Sequence, residues 1–194
     1  MKVLIGCFLL FVLLLVAGRS SEASRRKSRL GQALSSFVDE ATVIPPVDRE
    51  VCFSPEERCD LKLVRFVESA KNSIDLAVFD INLDQLVHSL LVASKRGVRV
   101  RVLVDARQAK GTYSLVGTLK KGGIKVRRGR QRGLMHHKFA IVDGKRIETG
   151  SFNYTNHATK ANQENQVYLD DSGIVSRFVG RFDLSWGEAR EWGD

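Results

Sequence analysis

The sequence predicts an α/β fold, a mixed β-sheet sandwiched between helices. Two observations carry that expectation. From Ser54 onward, short runs rich in Val, Ile and Phe alternate with stretches of helical spacing, and turn residues punctuate them. The composition agrees: 194 residues, 43% hydrophobic and 27% charged, with only 3 Pro, suit one core-bearing domain and exclude collagen-like, disordered and multi-span membrane classes. No internal repeat is visible, which matters for the chemistry below.

Three regions follow in order: an apolar segment (1–18), a basic and polar linker (19–46) and a folded domain (47–194). Val3 to Ala17 is almost wholly apolar, at the short end for a bilayer span, which takes roughly 17–25 residues. Two readings stand side by side. Lys2, the apolar run and Ser21-Glu22-Ala23 make a secretory signal with a cleavage site. Alternatively the run stays as a membrane anchor, and Arg19, Arg25, Arg26, Lys27 and Arg29 hold the body on the cytoplasmic side. Pro45-Pro46 closes the linker. Cys7 lies in the leader. Cys52 and Cys59 are expected to be two reduced, partly buried thiols; an exported chain would bridge them. No Cys/His cluster has zinc-ligand spacing, so neither a metal nor a cofactor is expected.

Ser54-Pro55-Glu56-Glu57 predicts a helix start, with Ser as cap, Pro in the first turn and Glu three residues on; Leu63, Phe66, Val67 and Ala70 continue it. Ser73 to Ile81 alternates and predicts a strand. Asn82 to Arg96 predicts a helix capped by Asn82 and stopped by Gly97. Val98 to Val104 predicts a strand with its Val residues on one face. Thr112 to Lys121 is expected to be a short helix ended by Gly122-Gly123, and Ile124 to Arg127 a short strand. Asp143-Gly144-Lys145 between Phe139–Val142 and Arg146–Thr149 is a hairpin signal. Gln166 to Leu169 predicts another strand. Ile174 to Trp192 predicts a closing helix with Val175, Phe178, Phe182 and Trp186 on one side.

The net charge of +9 is unevenly spread: the first 31 residues hold six Lys/Arg and one acid, while the rest holds 25 bases against 21 acids. The domain is only mildly basic, so its charge alone does not name a nucleic-acid partner.

The informative stretch is Met135-His136-His137-Lys138-Phe139-Ala140-Ile141-Val142-Asp143. Residues two apart in a strand share a face, so His136 and Lys138 are expected in one cleft and His137 opposite. His supplies a nucleophile or an acid near neutral pH, and Lys a fixed charge for a phosphoryl oxygen. Gly150-Ser151-Phe152-Asn153 follows the hairpin. A Gly-Ser turn entering a helix would offer backbone N–H groups and a hydroxyl to an anion, with the Asn153 amide beside them.

The spacing His136-x-Lys138-x4-Asp143-x6-Gly150-Ser151 resembles the signature of the phospholipase D superfamily. The likeness runs from about Glu50 to Trp192 and takes in Asn162-Gln163-Glu164-Asn165. It is similar to the small single-motif members, the bacterial Nuc-type endonucleases and the Zucchini-type proteins also described as mitochondrial cardiolipin hydrolases. Several of the latter carry a Cys/His zinc insertion after the first strand; here Cys52 and Cys59 stand alone. Tyr154 also replaces the Trp or Phe often found after Asn153.

The resemblance implies a phospholipase D-like fold and metal-independent hydrolysis through a covalent phosphohistidine. Such a scheme needs one imidazole to attack and another to protonate the leaving oxygen. This chain has one His-x-Lys, so a homodimer is expected, each chain giving one His136. His136, Lys138 and Asp143 are the catalytic-motif positions, although Asp143 before Gly144 is expected to support the strand end. Ser151, Asn153 and Glu164 are expected to bind phosphate or orient an imidazole, Glu164 as the carboxylate on its far nitrogen. Arg127, Arg128, Arg130 and Arg132 form a basic loop just before the motif, and Lys95, Arg96, Arg99 and Arg101 would extend that rim. Single-stranded RNA or DNA and the anionic phospholipid cardiolipin are the substrates considered. The leader would tether the domain to the mitochondrial outer membrane facing the cytosol; a secreted nuclease and a silent membrane-tethered scaffold are the alternatives.

Overall fold

The computed structural model describes residues 49–129 and 133–192. The leader, the linker, Arg130 and Arg132 lie outside these described residues.

The described chain runs β1 (Glu50–Ser54), α1 (Cys59–Glu68), β2 (Ser73–Val78), α2 (Asp84–Lys95), β3 (Arg99–Val104), a 3-10 turn (Gln108–Lys110), α3 (Val116–Lys121), β4 (Lys125–Arg128), β5 (Lys138–Val142), β6 (Arg146–Gly150), α4 (Asn156–Lys160), β7 (Glu164–Leu169), α5 (Ser172–Glu188) and β8 (Arg190–Glu191). The eight strands form one sheet in the order β1-β7-β6-β5-β2-β3-β4-β8. β2, β3 and β4 are parallel, joined by α2 and α3 as crossovers; every other pairing is antiparallel. The mixed sheet between helices is the expected architecture.

Alternation along the strands sorts the core into two layers. One face sets Ile74, Leu76, Val78, Val100, Val102, Val104, Ala140 and Val142 against Leu63, Phe66 and Val67 of α1, Leu86 and Leu90 of α2 and Leu119 of α3. The valines of β3 share that face, as their spacing predicts. The other face sets Ala77, Leu103, Phe139, Ile141 and Ile147 against Val175 and Phe182 of α5 alone. Under the C-terminal half of α5 the sheet turns ionic: Asp75 takes paired hydrogen bonds from Arg101 at 2.7 and 2.9 Å. The Arg101 guanidinium then lies over the rings of Phe182 and Trp186.

Four expectations are corrected. Ser54 does not cap a helix. It ends β1, is buried, and donates to the Ala158 carbonyl at 2.9 Å. The chain turns after it, Glu57 N–H donating to Phe53 O, and α1 starts only at Cys59, with Arg58 at its cap and no side-chain cap bond. Cys52 and Cys59 are bridged, not reduced: the disulfide ties β1 to the first turn of α1 across a Cα–Cα distance of 5.7 Å. Asn82 does not cap α2. Its Oδ1 accepts from Asn156 N–H instead, while Asn82 and Leu83 N–H both donate to Tyr154 O. The closing helix ends at Glu188, and the next residues turn extended to cover the edge of β4, with Trp192 N–H donating to Val126 O. Gly97, expected as a stop, has φ +89°, a conformation that costs glycine little.

Candidate active site

The C-terminal ends of the parallel strands converge on one edge of the sheet, where α/β folds place their ligands. Register brings β5 to the same edge by its beginning: Val78, the last residue of β2, pairs with Lys138, the first of β5. β6 arrives there by its end at Gly150 and β7 by its start at Glu164. His136, Lys138, Ser151, Asn153 and Glu164 are therefore gathered at this edge from three separate stretches of chain.

His136 and Lys138 stand together. The Lys138 Nζ lies 3.1 and 3.2 Å from the two ring nitrogens of His136 and donates to the His136 carbonyl at 3.0 Å. Phe79, just past β2, packs edge-on against the imidazole with centroids 4.4 Å apart, and Lys138 Nζ sits 5.2 Å from the same ring. Burial pushes the Lys138 ammonium below its ordinary pKa, and the charge of Glu164 partly offsets this. A partly desolvated ammonium next to an imidazole is a strong receptor for a phosphoryl oxygen.

Asp105, just past β3, holds the segment that carries His136. Its Oδ2 accepts from Met135 N–H at 3.0 Å, and its Oδ1 from Arg107 and Gln108 N–H. Neither Phe79 nor Asp105 was singled out from the sequence. The available signal was positional: each follows the C-terminal end of a parallel strand.

The Gly-Ser segment works differently from expectation. Ser151 and Phe152 N–H do not point to an anion; both donate to Asn165 O. Gly150 is required because a Cβ there would lie 2.1 Å from that same carbonyl oxygen. The hydroxyl of Ser151 donates to Glu164 Oε2, and it accepts from Asn165 N–H at 3.1 Å. Asn162 Nδ2 donates to Glu164 Oε1 at 2.9 Å. Glu164 is thus aligned by Ser151 and Asn162, and makes no bond to His136 within one chain. The Asn153 side-chain oxygen is buried without a hydrogen bond among the described residues.

Beneath this loop lies a buried polar cluster. Glu148, fully buried on β6, accepts from Tyr154 Oη, and Tyr168 Oη donates to Gln166 Oε1 at 2.7 Å. With no cation beside it, burial pushes the Glu148 carboxyl up to about 8. Tyr154 and Tyr168 are pushed up too, chiefly by burial and then by the charge of Glu148.

Other expected residues lie elsewhere. Asp143, grouped with the catalytic motif, sits five residues down β5 from Lys138, about 17 Å at strand rise. Its carboxylate accepts from the backbone N–H groups of Lys71, Asn72 and Ser73, so it locks the hairpin turn to the start of β2. Arg127 is drawn into the fold: it pairs with Glu191, donates to Trp186 O and stacks on the Trp186 ring. Arg128 is half-buried in β4. Arg96 donates to Glu68 and Ala70 carbonyls, and Arg99 and Arg101 pair with Asp75, so these three are structural and form no rim. Lys95 ends α2, at the sheet edge away from the site.

The family model described as "Cardiolipin synthase, PLD-like domain" matches residues 63–186. The chain belongs to the phospholipase D superfamily. Its fold is that of this family's phosphodiesterases. A mitochondrial cardiolipin hydrolase of Xenopus tropicalis is 36% identical over 169 residues, covering 84% of this chain and 80% of that protein. The Mus musculus protein of the same name is 38% identical over 138 residues, covering 71% of this chain and 62% of its own length. Among solved structures, the phospholipase D family member Nuc of Salmonella typhimurium superposes with a TM-score of 0.71 at 29% identity, over 76% of this chain and 99% of Nuc.

Of the three residues Cys52, Glu57 and Cys59, which bring potential metal-ligand atoms within 4.8 Å of one another, two have their sulfurs joined in the disulfide.

Proposed function

We propose that this phosphodiesterase works without a metal, through a phosphohistidine, in a site shared by two copies of the chain, and that it acts on cardiolipin or single-stranded nucleic acid. The observation that carries the reading is the state of His136. Among the described residues of one chain its ring meets Lys138 and Phe79 and has no carboxylate to fix its tautomer. Glu164, already aligned by Ser151 and Asn162, is the carboxylate such a ring needs. A two-fold axis along this edge would bring a second imidazole and complete the set.

A nitrogen of one His136 attacks phosphorus and forms a P–N bond as the P–O bond to the leaving alcohol breaks. The partner's His136, protonated, gives that alcohol its proton. Water then attacks phosphorus, loses a proton to the partner's His136, and frees the first imidazole. Lys138 and Asn153 hold the nonbridging oxygens as their charge develops. No step here asks for a metal. Turnover of cardiolipin vesicles and of a single-stranded oligonucleotide, each with EDTA, tests the reading. Activity should survive EDTA, and His136→Ala should lose at least about a thousandfold. Loss in EDTA, or a His136→Ala protein with most of its activity, would contradict it.

Relatives named as mitochondrial support a mitochondrial location, and the apolar leader followed by arginines supports a membrane tether with the domain in the cytosol. The Cys52–Cys59 disulfide favours a second reading, an exported nuclease, because such bonds persist in oxidising compartments. Sequencing the mature N-terminus of the tagged chain, together with imaging, separates the two. An intact leader at mitochondria supports the first; a start near Ser24 in the medium supports the second.

A further inference from the structure

A cleft of about 690 Å³ opens between the catalytic edge and α5. One wall is His136, His137, Lys138 and Thr149; the other is α5, through Ile174, Arg177, Phe178, Arg181 and Leu184. These five α5 residues fall at helical spacing and share one side of the helix. Among its lining residues there is no carboxylate.

Arg177 and Arg181 stand one turn apart, both exposed, and neither makes a hydrogen bond or ion pair with any described residue. Like charges at this spacing repel. On the same sheet face Arg99, Arg101 and Arg127 are each paired with a carboxylate. His137 looks into the same cleft. Burial, then the charges of Arg181, Lys138 and His136, push its imidazole below its ordinary pKa. It faces the cleft as a neutral ring able to donate one N–H. Two free guanidinium forks and an imidazole donor suit a phosphate. Beside them, Ile174 and Leu184 are 40% and 54% exposed, while Phe178 on the same wall is half-buried with its ring packed against Phe139. Aliphatic side chains flanking an anion site suit an acyl chain better than a nucleobase.

We propose that Arg177, Arg181 and His137 form a second phosphate subsite, which selects a phospholipid carrying two phosphates: one is cleaved at His136 while the other is held against α5. This rests on the phosphodiesterase site above, and the two can fail separately. Turnover of bis(p-nitrophenyl) phosphate by the full-length wild type reports on the site alone. The subsite is read from a ratio. Phosphatidylcholine vesicles are doped with cardiolipin or with twice the molar amount of phosphatidylglycerol, so surface charge is matched while phosphates per lipid differ. The wild type should prefer cardiolipin in kcat/KM. The double variant Arg177→Gln/Arg181→Gln should lower that preference about tenfold or more. Arg177→Lys/Arg181→Lys should recover only part of it, since an ammonium lacks the planar fork. A preference unchanged by the double variant would overturn the proposal, whether both lipids slow together or neither does. A loss confined to a single-stranded oligonucleotide would also overturn it, by giving the arginines to nucleic acid.

Discussion

Replacing Glu148 by Gln should flatten the pH dependence of this fold. The carboxyl lies fully buried under the Ser151–Asn153 loop, holds about 8 instead of its ordinary 4.5, and has only the hydroxyl of Tyr154 as partner. In the unfolded chain it ionises near its ordinary value; in the native chain it keeps its proton until about 8. Between those values the native state binds more protons, so stability falls as pH rises through the window and levels off above it. At about 1.4 kcal/mol for each pH unit inside the window, roughly 3 kcal/mol of wild-type stability is lost between about pH 6 and pH 9. This is an upper figure, because relaxation and water entry soften burial. Gln keeps the shape, still accepts from Tyr154, and cannot ionise. Urea unfolding at the two pH values, for both proteins, gives the comparison. The wild-type midpoint should drop relative to the variant as pH rises, with equal slopes m. Parallel pH profiles for the two proteins would refute the buried-acid argument.

Asp143→Ala should cost about 1–2 kcal/mol, chiefly by leaving the part-buried Ser73 N–H without its acceptor while water replaces the exposed bonds to Lys71 and Asn72, and should leave turnover of the folded protein within about twofold. Burial raises the Asp143 pKa, but the N–H groups of Ser73, Lys71 and Asn72 outweigh it and leave the pKa lowered. Its contribution is therefore complete at neutral pH and is lost as acid carries the pH down through that depressed value, which thermal melts along an acid series would show. Reducing the Cys52–Cys59 bond, seven residues apart, should cost about 2–3 kcal/mol, read as a lower urea midpoint in dithiothreitol that a Cys52→Ser/Cys59→Ser protein does not share.

Much of this molecule is legible in the sequence for a physical reason. Strands β2, β3, β5 and β6 are bounded by strong punctuation, and the valines of β3 and the apolar side of α5 repeat at the period of their element. The motif His136-x-Lys138 is local, so both side chains meet without a distant contact, but alternation misplaces His137, which precedes β5 and lines the same cleft. What was not legible depends on distant contacts. Ser54-Pro55-Glu56-Glu57 has the chemistry of a cap, but β7 claims Ser54 for an edge strand and the disulfide delays α1 to Cys59. Ser151 and Phe152 look like anion donors until Asn165, fourteen residues after Ser151, takes both N–H groups. Arg99, Arg101 and Arg127 look like a nucleic-acid rim because charge is visible in sequence and pairing is not; Asp75, Asp183 and Glu191 neutralise them. Arg177 and Arg181 escaped notice among ordinary surface charges, and only their place above the cleft distinguishes them.

In the proposed dimer, two chains share one phosphorus atom between their His136 rings. Acid-quenching the full-length enzyme under saturating labelled phosphodiester and counting phosphohistidine per chain measures this directly. One phosphoryl group for every two chains, all of it on His136, is the predicted result. One on every chain, or none under conditions of full turnover, would contradict it.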